Sequence, residues 1–458
     1  MATIAFIVLL LFAVAGYAYN RISARAIREG GARLHSIPGY HGLFSFLVVL
    51  VPVFVLILLW VALQGPVVDA VMMRGIPEGA RAGLDDGATQ LLLAEIKSIA
   101  AGRIFGQPDE WKIAAGNRLS ELHESMSMAM LVSTAVLSAA LLWHARRRVA
   151  ADFRARQGVE KIVSALMILC SVVAILTTIG IIASLLVETA KFLTLVPLDE
   201  FLFGLNWEPQ IPIREDQVAA EGAFGWTPVF LGTLVITVVA LLFAVPVGLM
   251  SAIYLNEFAP RRIRSAAKPV LEVLAGVPTV VYGFFAVLVV APAFRSAGDS
   301  VGVDVAPNTA LAAGIVMGIM LIPFISSFAD DALSAVPKSL RDGSLALGAT
   351  RAETMLNVLF PAALPGIVGG VLLAVSRAIG ETMIVVMAAG LIAKMTINPL
   401  ESVTTVTVQI VTLLIGDTSF DSPKTLAAFA LGMMLFIVTL AINVLAVRIV
   451  RKYREIYE

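Results

Sequence analysis

Asp342-Gly343-Ser344-Leu345-Ala346-Leu347-Gly348, then Val358-Leu359-Phe360-Pro361, is the stretch on which the reading of this chain turns. Beyond it an apolar run is interrupted by Arg377-Ala378-Ile379-Gly380-Glu381-Thr382. The first stretch is polar, hinged by glycine and studded with leucines. The second sets an arginine and a carboxylate where a bilayer penalises both. Together they imply a pathway through a membrane, joined to a docking loop for a soluble partner that supplies the energy.

Composition places the stretch in its setting. Of 458 residues, 59% are hydrophobic and 14% charged, against about 25% charged in a soluble domain. A run of roughly 20 apolar residues crosses the hydrocarbon core as a helix. Such runs recur near 3–19, 44–63, 126–143, 162–187, 227–254, 270–293, 309–328, 362–390 and 425–449. The expected fold is all-α, a polytopic membrane bundle of about nine transmembrane helices. Zero net charge gives no sign of nucleic-acid binding. Cys170, the one cysteine, excludes an intrachain disulfide and a Cys-based zinc site; it is expected to be a small helix-packing residue.

Orientation follows from the loops. Segments 20–43, 144–161 and 255–269 and the tail around Arg448, Arg451, Lys452 and Arg454 are basic. Segment 188–224 is acid-rich instead, with Glu188, Asp199, Glu200, Glu208, Glu215, Asp216 and Glu221 against Lys191 and Arg214. Basic loops stay in the cytoplasm, so the N-terminus is expected outside and the C-terminus inside. Ala13-Val14-Ala15 has the look of a cleavage site, but the run before it lacks a basic n-region; retention as a membrane helix is the expectation. The hydrophilic segment 64–125 is then extracytoplasmic, with an amphipathic helix expected over 88–103, lying on the membrane or on a neighbour. Residues 1–160 read as an accessory region and 161–458 as a six-helix core.

Segment 329–361 has internal pattern. Pro337 and Ser339 mark a helix start, Leu340, Leu345 and Leu347 supply apolar contacts, and Gly348 permits a sharp turn. A second short helix from Arg351 is expected to run up to Pro361. Two short helices meeting at a glycine form an elbow suited to a groove on another protein.

These residues resemble the coupling loop of ABC-importer permeases. In that family an acid and two small residues are followed by glycine six positions after the acid. An aliphatic residue and a proline come ten and thirteen positions after the glycine, as Val358 and Pro361 do here. Asp342-Gly343-Ser344 stands for the usual Glu-Ala-Ala, and Phe360 for a leucine; Gly343 is expected to loosen the helix by about 1 kcal/mol. The resemblance covers roughly 225–458 and is closest to phosphate-specific permeases. It is carried by Ala275-Gly276-Val277-Pro278-Thr279-Val280-Val281-Tyr282-Gly283-Phe284, Leu345-Ala346-Leu347-Gly348-Ala349-Thr350-Arg351 and Arg377-Ala378-Ile379-Gly380-Glu381-Thr382-Met383. Met383 after Gly-Glu-Thr is similar to the PstC-like rather than the PstA-like branch. The resemblance implies a type-1 transmembrane domain over about 225–450. It further implies a homologous second permease subunit, two ATP-binding subunits, an extracytoplasmic phosphate-binding protein, and no cofactor or metal. Asp342, Gly343, Ser344, Gly348, Val358 and Pro361 would form the ATPase-coupling loop, and Arg377, Glu381 and Thr382 would lie on the substrate pathway. ATP hydrolysis would belong to the partner subunits, so the chain itself is not expected to be an enzyme.

Independently of family, Arg377 falls fifteen residues beyond position 362, about 22 Å along a helix. An arginine or acid at that depth costs about 2.5–3.5 kcal/mol, so the site should face protein or water. Glu381, four residues on, is expected on the same helix face and able to pair with Arg377, in the poorer of the two orientations. The pair either locks packing or offers a bidentate guanidinium to a tetrahedral oxyanion. Asn256-Glu257 and the Gly276–Pro278 break are candidate hinges. Competing readings fare less well. A secondary transporter should show inverted repeats and several intramembrane acids; only Glu381 qualifies. A P-loop is absent because no glycine precedes a lysine. His35, His41, His123 and His144 lie outside the apolar centres and form no catalytic or metal pattern.

Overall fold

The computed structural model describes residues 1–76, 86–103, 109–209, 222–415 and 422–454. Among them, nine helices are long and apolar enough to cross a bilayer. The chain divides into two compact units, Met1–Leu176 and Thr177–Glu458. Arg214, Glu215, Asp216 and Glu221 of the acid-rich segment lie outside the described residues, as do parts of segment 64–125.

In the first unit, α1 (Ala2–Glu29), α2 (Pro38–Arg74) and α4 (Glu110–Arg147) pack together, with α3 (Asp86–Ala100) against two of them. Ala5, Leu9, Ala13, Gly16, Asn20 and Ala24 are the buried stripe of α1, at the three-to-four spacing that lines one helical face. Opposite them lie Val49, Val53 and Ile57 of α2 and Met130 of α4. The amphipathic helix expected over 88–103 is α3, which rests on neighbours: its Ile96 is buried with Val68, Met72 and Leu119. His41 is buried near the start of α2. The helix α5 (Ala155–Leu195) follows. Cys170, on α5, is exposed, so the expected packing role is corrected: none of the most apolar window of this helix is buried within the chain.

In the second unit, α6 (Leu198–Phe203) leads to a two-residue antiparallel ribbon, β1 (Trp207–Glu208) with β2 (Ala223–Phe224). Then come α7 (Thr227–Ile253), a π turn (Tyr254–Phe258), α8 (Arg261–Ala275), α9 (Thr279–Phe285), a second π turn (Ala286–Val290) and α10 (Ala291–Val301). The central helix is α11 (Ala310–Ala335), with 61% of its apolar window buried. Ala310, Ala313, Val316, Met317 and Met320 pack there with Ile236, Ala240 and Ala244 of α7. Small residues dominate this seam, which lets the two helices approach closely.

The chain continues through α12 (Lys338–Ala346), α13 (Arg351–Thr354), a third π turn (Met355–Leu359) and α14 (Phe360–Ile379). After it come α15 (Met383–Ala388), α16 (Val406–Leu414) and α17 (Pro423–Arg454). Two predicted spans move. The sixth begins at Thr279 rather than 270, because Gly276 and Pro278 end the basic amphipathic α8. The eighth runs Arg351–Ile379 rather than 362–390. The segment from 329 to 335, expected in the loop, is the last two turns of α11.

Between α15 and α16 the chain is non-helical and held from several sides. Val403 N–H and Ser402 Oγ both donate to Ala389 C=O, at 3.1 and 2.9 Å. Gly390 turns there at φ +111°, and a Cβ would stand 2.1 Å from Ser402 Oγ. Gln409 ties the segment down: its Nε2 donates to Leu391 C=O (3.0 Å) and Thr404 Oγ1 (3.1 Å), while Oε1 accepts from Trp207 Nε1 (2.9 Å).

Candidate coupling elbow and charged pathway

The elbow is built by capping rather than by packing. No residue of α12 is buried. Its end is a Schellman turn, with Ala349 N–H donating to Ser344 C=O (3.2 Å) and Gly348 N–H to Leu345 C=O (3.0 Å). Gly348 sits at φ +91°, a conformation that costs a β-carbon-bearing residue strain. Thr350 and Glu353 then form a capping box that starts α13. Ser344 Oγ meets Thr354 Oγ1 at 3.0 Å and closes the two short helices on each other. Leu340, Leu345, Leu347 and Leu356 are exposed around this turn; Leu347 is 91% exposed.

Asp342, Gly343 and Ser344 lie within α12, and Gly348 at the turn. Val358 lies in the third π turn, and Pro361 in the first turn of α14. The chain does not stop at Pro361 as expected. The π turn at Met355–Leu359 carries α13 into α14 without a break, and its wider turn accommodates a residue with no N–H to give.

Arg377 and Glu381 do not pair. The helix ends at Ile379, with Gly380 as its cap and Glu381-Thr382 in the following turn. Glu381 Oε1 accepts from Met383 N–H (3.1 Å) and Ile384 N–H (3.4 Å), capping α15, and its carbonyl accepts from Thr407 Oγ1 (2.8 Å). Thr382 Oγ1 donates to Gly380 C=O at 3.5 Å. The Arg377 guanidinium lies over the Phe324 ring of α11, 5.4 Å from its centroid, and is exposed on the surface of this chain. One turn of backbone thus separates a held but unneutralised cation from a carboxylate occupied with backbone donors. Pairing, the sequence expectation, assumed a helix that the glycine terminates.

Two ionic clusters were not foreseen as such. Asp330, in the last turns of α11, accepts from Lys268 Nζ, from Arg264 (3.2 Å) and from Asn256 Nδ2 (2.7 Å). Glu257, in the first π turn, accepts from Arg341 of α12 at 2.8 Å. Their signal in the sequence is acids placed inside otherwise apolar helix ends, with Arg264 and Lys268 one turn apart to meet them. Asn256, through its amide, and Glu257, through its carboxylate, are therefore both tied to other helices. Among the described residues no group of three or more metal-ligating side chains gathers.

Residues 6–177 match the family described as phosphate ATP-binding cassette transporter, and residues 244–455 that of the binding-protein-dependent transport system inner membrane component. The probable ABC transporter permease protein YqgH of Bacillus subtilis is 34% identical over 260 residues, which is 56% of this chain and 79% of the relative. The phosphate transport system permease protein PstC of Xylella fastidiosa is 32% identical over 264 residues, covering 54% of this chain and 76% of the relative. PstC 1 of Mycobacterium tuberculosis is 32% identical over 277 residues, 55% and 81% of the two chains. The chain is a multi-pass membrane protein and belongs to the family of ABC transporter permeases that includes the PstC subunits of phosphate transport systems.

Proposed function

We propose that this chain is a permease subunit of an ATP-driven, binding-protein-dependent phosphate importer. It forms half of the translocation path beside a homologous second permease subunit. An extracytoplasmic binding protein delivers the anion, and two ATP-binding subunits grip the elbow of each half. The N-terminus lies outside and the C-terminus in the cytoplasm, and residues 1–160 are accessory to a core in 161–458.

One observation carries this reading. The exposed elbow and Arg377 sit at opposite ends of a single unbroken rod, Arg351–Ile379. Movement imposed on the elbow is therefore felt at the guanidinium. An aromatic face supports that guanidinium from one side, and no carboxylate among the described residues pairs with it. Planar, fixed donors of this kind suit a tetrahedral oxyanion. Glu381 acts on the same pathway by holding α15 in place rather than by competing for the arginine. The family resemblance of 244–455 supports the coupling role, and the naming of relatives supports phosphate over other oxyanions.

Arg377→Gln is expected to abolish phosphate uptake in cells that depend on this transporter, while the chain still inserts. Uptake at the wild-type rate would remove the arginine from the pathway. Uptake driven by a proton gradient without ATP would overturn the importer reading itself.

A further inference from the structure

The helix that carries the coupling loop is fastened to the rest of the second unit through very little. With no buried residue, α12 is not held by its own packing. Two of its side chains make specific ties: Ser344 to Thr354, within the elbow, and Arg341 to Glu257, across 84 residues of chain. The second is unusual in its asymmetry. Glu257's side chain is 1% exposed, whereas Arg341's is 40% exposed. Among the described residues the other carboxylate oxygen of Glu257 has no hydrogen-bond partner, and Arg341 is the one cation paired with this buried acid.

Glu257 belongs to the π turn Tyr254–Phe258, closed by Ala259 N–H donating to Tyr254 C=O at 2.8 Å. The residue before it grips a different element. Asn256 Nδ2 donates to Asp330 Oδ1 (2.7 Å) and Ser334 Oγ (2.9 Å) at the end of α11. Asp330 in turn holds Arg264 and Lys268 of α8. Adjacent side chains of one π turn therefore bind the coupling helix, the end of the central helix and, through it, the basic amphipathic helix. π turns recur where helices must carry a functional irregularity.

We infer that the Glu257–Arg341 pair is a strut: it makes α12 and the π turn at the end of α7 move as one body when the coupling helix is displaced. This rests on the coupling role proposed above for the elbow. The physical reason is the cost of the alternative. Drawing Arg341 away would strand a buried carboxylate without its partner, which is far dearer than letting the turn follow. The rod Arg351–Ile379 carries displacement to Arg377; the strut carries it independently to α7, and through Asp330 to α11 and α8. Arg341 is thus a positioning residue, acting through Glu257 and not on the transported anion.

The test uses the whole transporter, co-expressed with its partner subunits and reconstituted in vesicles. ATP hydrolysis and phosphate uptake are measured together for Glu257→Gln, Arg341→Gln, the double variant and Arg341→Lys. The strut predicts that each single variant still co-purifies with the ATP-binding subunits and hydrolyses ATP, but moves several-fold less phosphate per ATP. The double variant should be no worse than the poorer single, the non-additivity of residues acting as a pair, and Arg341→Lys should keep most of the coupling. Wild-type stoichiometry in the single variants, or a double loss equal to the product of the two, overturns the strut. So does loss of the ATP-binding subunits from Arg341→Gln alone, which would make the arginine a docking residue, or failure of both single variants to insert. A second readout needs no knowledge of the substrate. Spin labels at Met250→Cys and Lys338→Cys, in a Cys170→Ser background, should keep one separation with and without trapped nucleotide. That separation should change with nucleotide when Glu257→Gln is added; a separation that changes in the parent already refutes the strut, even if phosphate proves not to be the substrate.

Discussion

At Arg377 the side chain is held by an aromatic face, and among the described residues it makes no ion pair. A lysine there would keep the charge but lose the planar fork that meets two oxygens at once. Arg377→Lys is therefore expected to retain a fraction of uptake, seen as a raised half-saturating phosphate concentration, where Arg377→Gln retains none. At Gly348 the constraint is conformational alone, because nothing lies within 4 Å of an added Cβ. Gly348→Ala should cost about 1 kcal/mol locally and lower phosphate moved per ATP, while Gly348→Asn, which tolerates the left-handed region, should do less harm. The two residues differ in how legible they were. Gly348 could be read from its neighbours, since helix, glycine and capping threonine follow one another along the chain. The environment of Arg377 could not, because Phe324 lies on another helix.

Among the elements, the linked pieces Arg351–Ile379 show how local rules add up to a lever. A capping box starts the rod, a π turn carries it past Pro361, and Gly380 ends it before Glu381. The non-helical stretch between α15 and α16 is tied at its end by a buried side chain, Gln409, which bonds Leu391, Thr404 and Trp207. Gln409→Leu would leave the buried Trp207 indole N–H unsatisfied, at about 1–3 kcal/mol. The expected outcome is a lowered thermal midpoint in detergent, with uptake falling in step; an unchanged midpoint would show that water replaces the amide. The apolar spacing of these elements was plain in the sequence, but their ends were less so. Continuity through Pro361 runs against what a proline first suggests, and the break at Gly380 falls inside a run whose hydropathy continues past it.

For the whole molecule, the division at Leu176 and Thr177 falls inside α5, so no linker marks it. If residues 1–160 are accessory, removal of 1–153 leaves α5 and the second unit entire, and uptake should persist; loss of uptake with normal insertion would bring the first unit into the transport cycle. What the chain determined by itself is its membrane character, the nine spans and the elbow. Each of these depends on residues within one turn or one bilayer thickness of each other, where hydropathy, capping and glycine conformations act. Only the tertiary structure decided the ionic partners. Arg341 found Glu257 rather than any nearer acid, Lys268 and Arg264 found Asp330, and Arg377 lay over Phe324 without meeting Glu381. Burial makes an unpaired charge costly wherever it stands, but which cation arrives to relieve it is set by how distant helices pack.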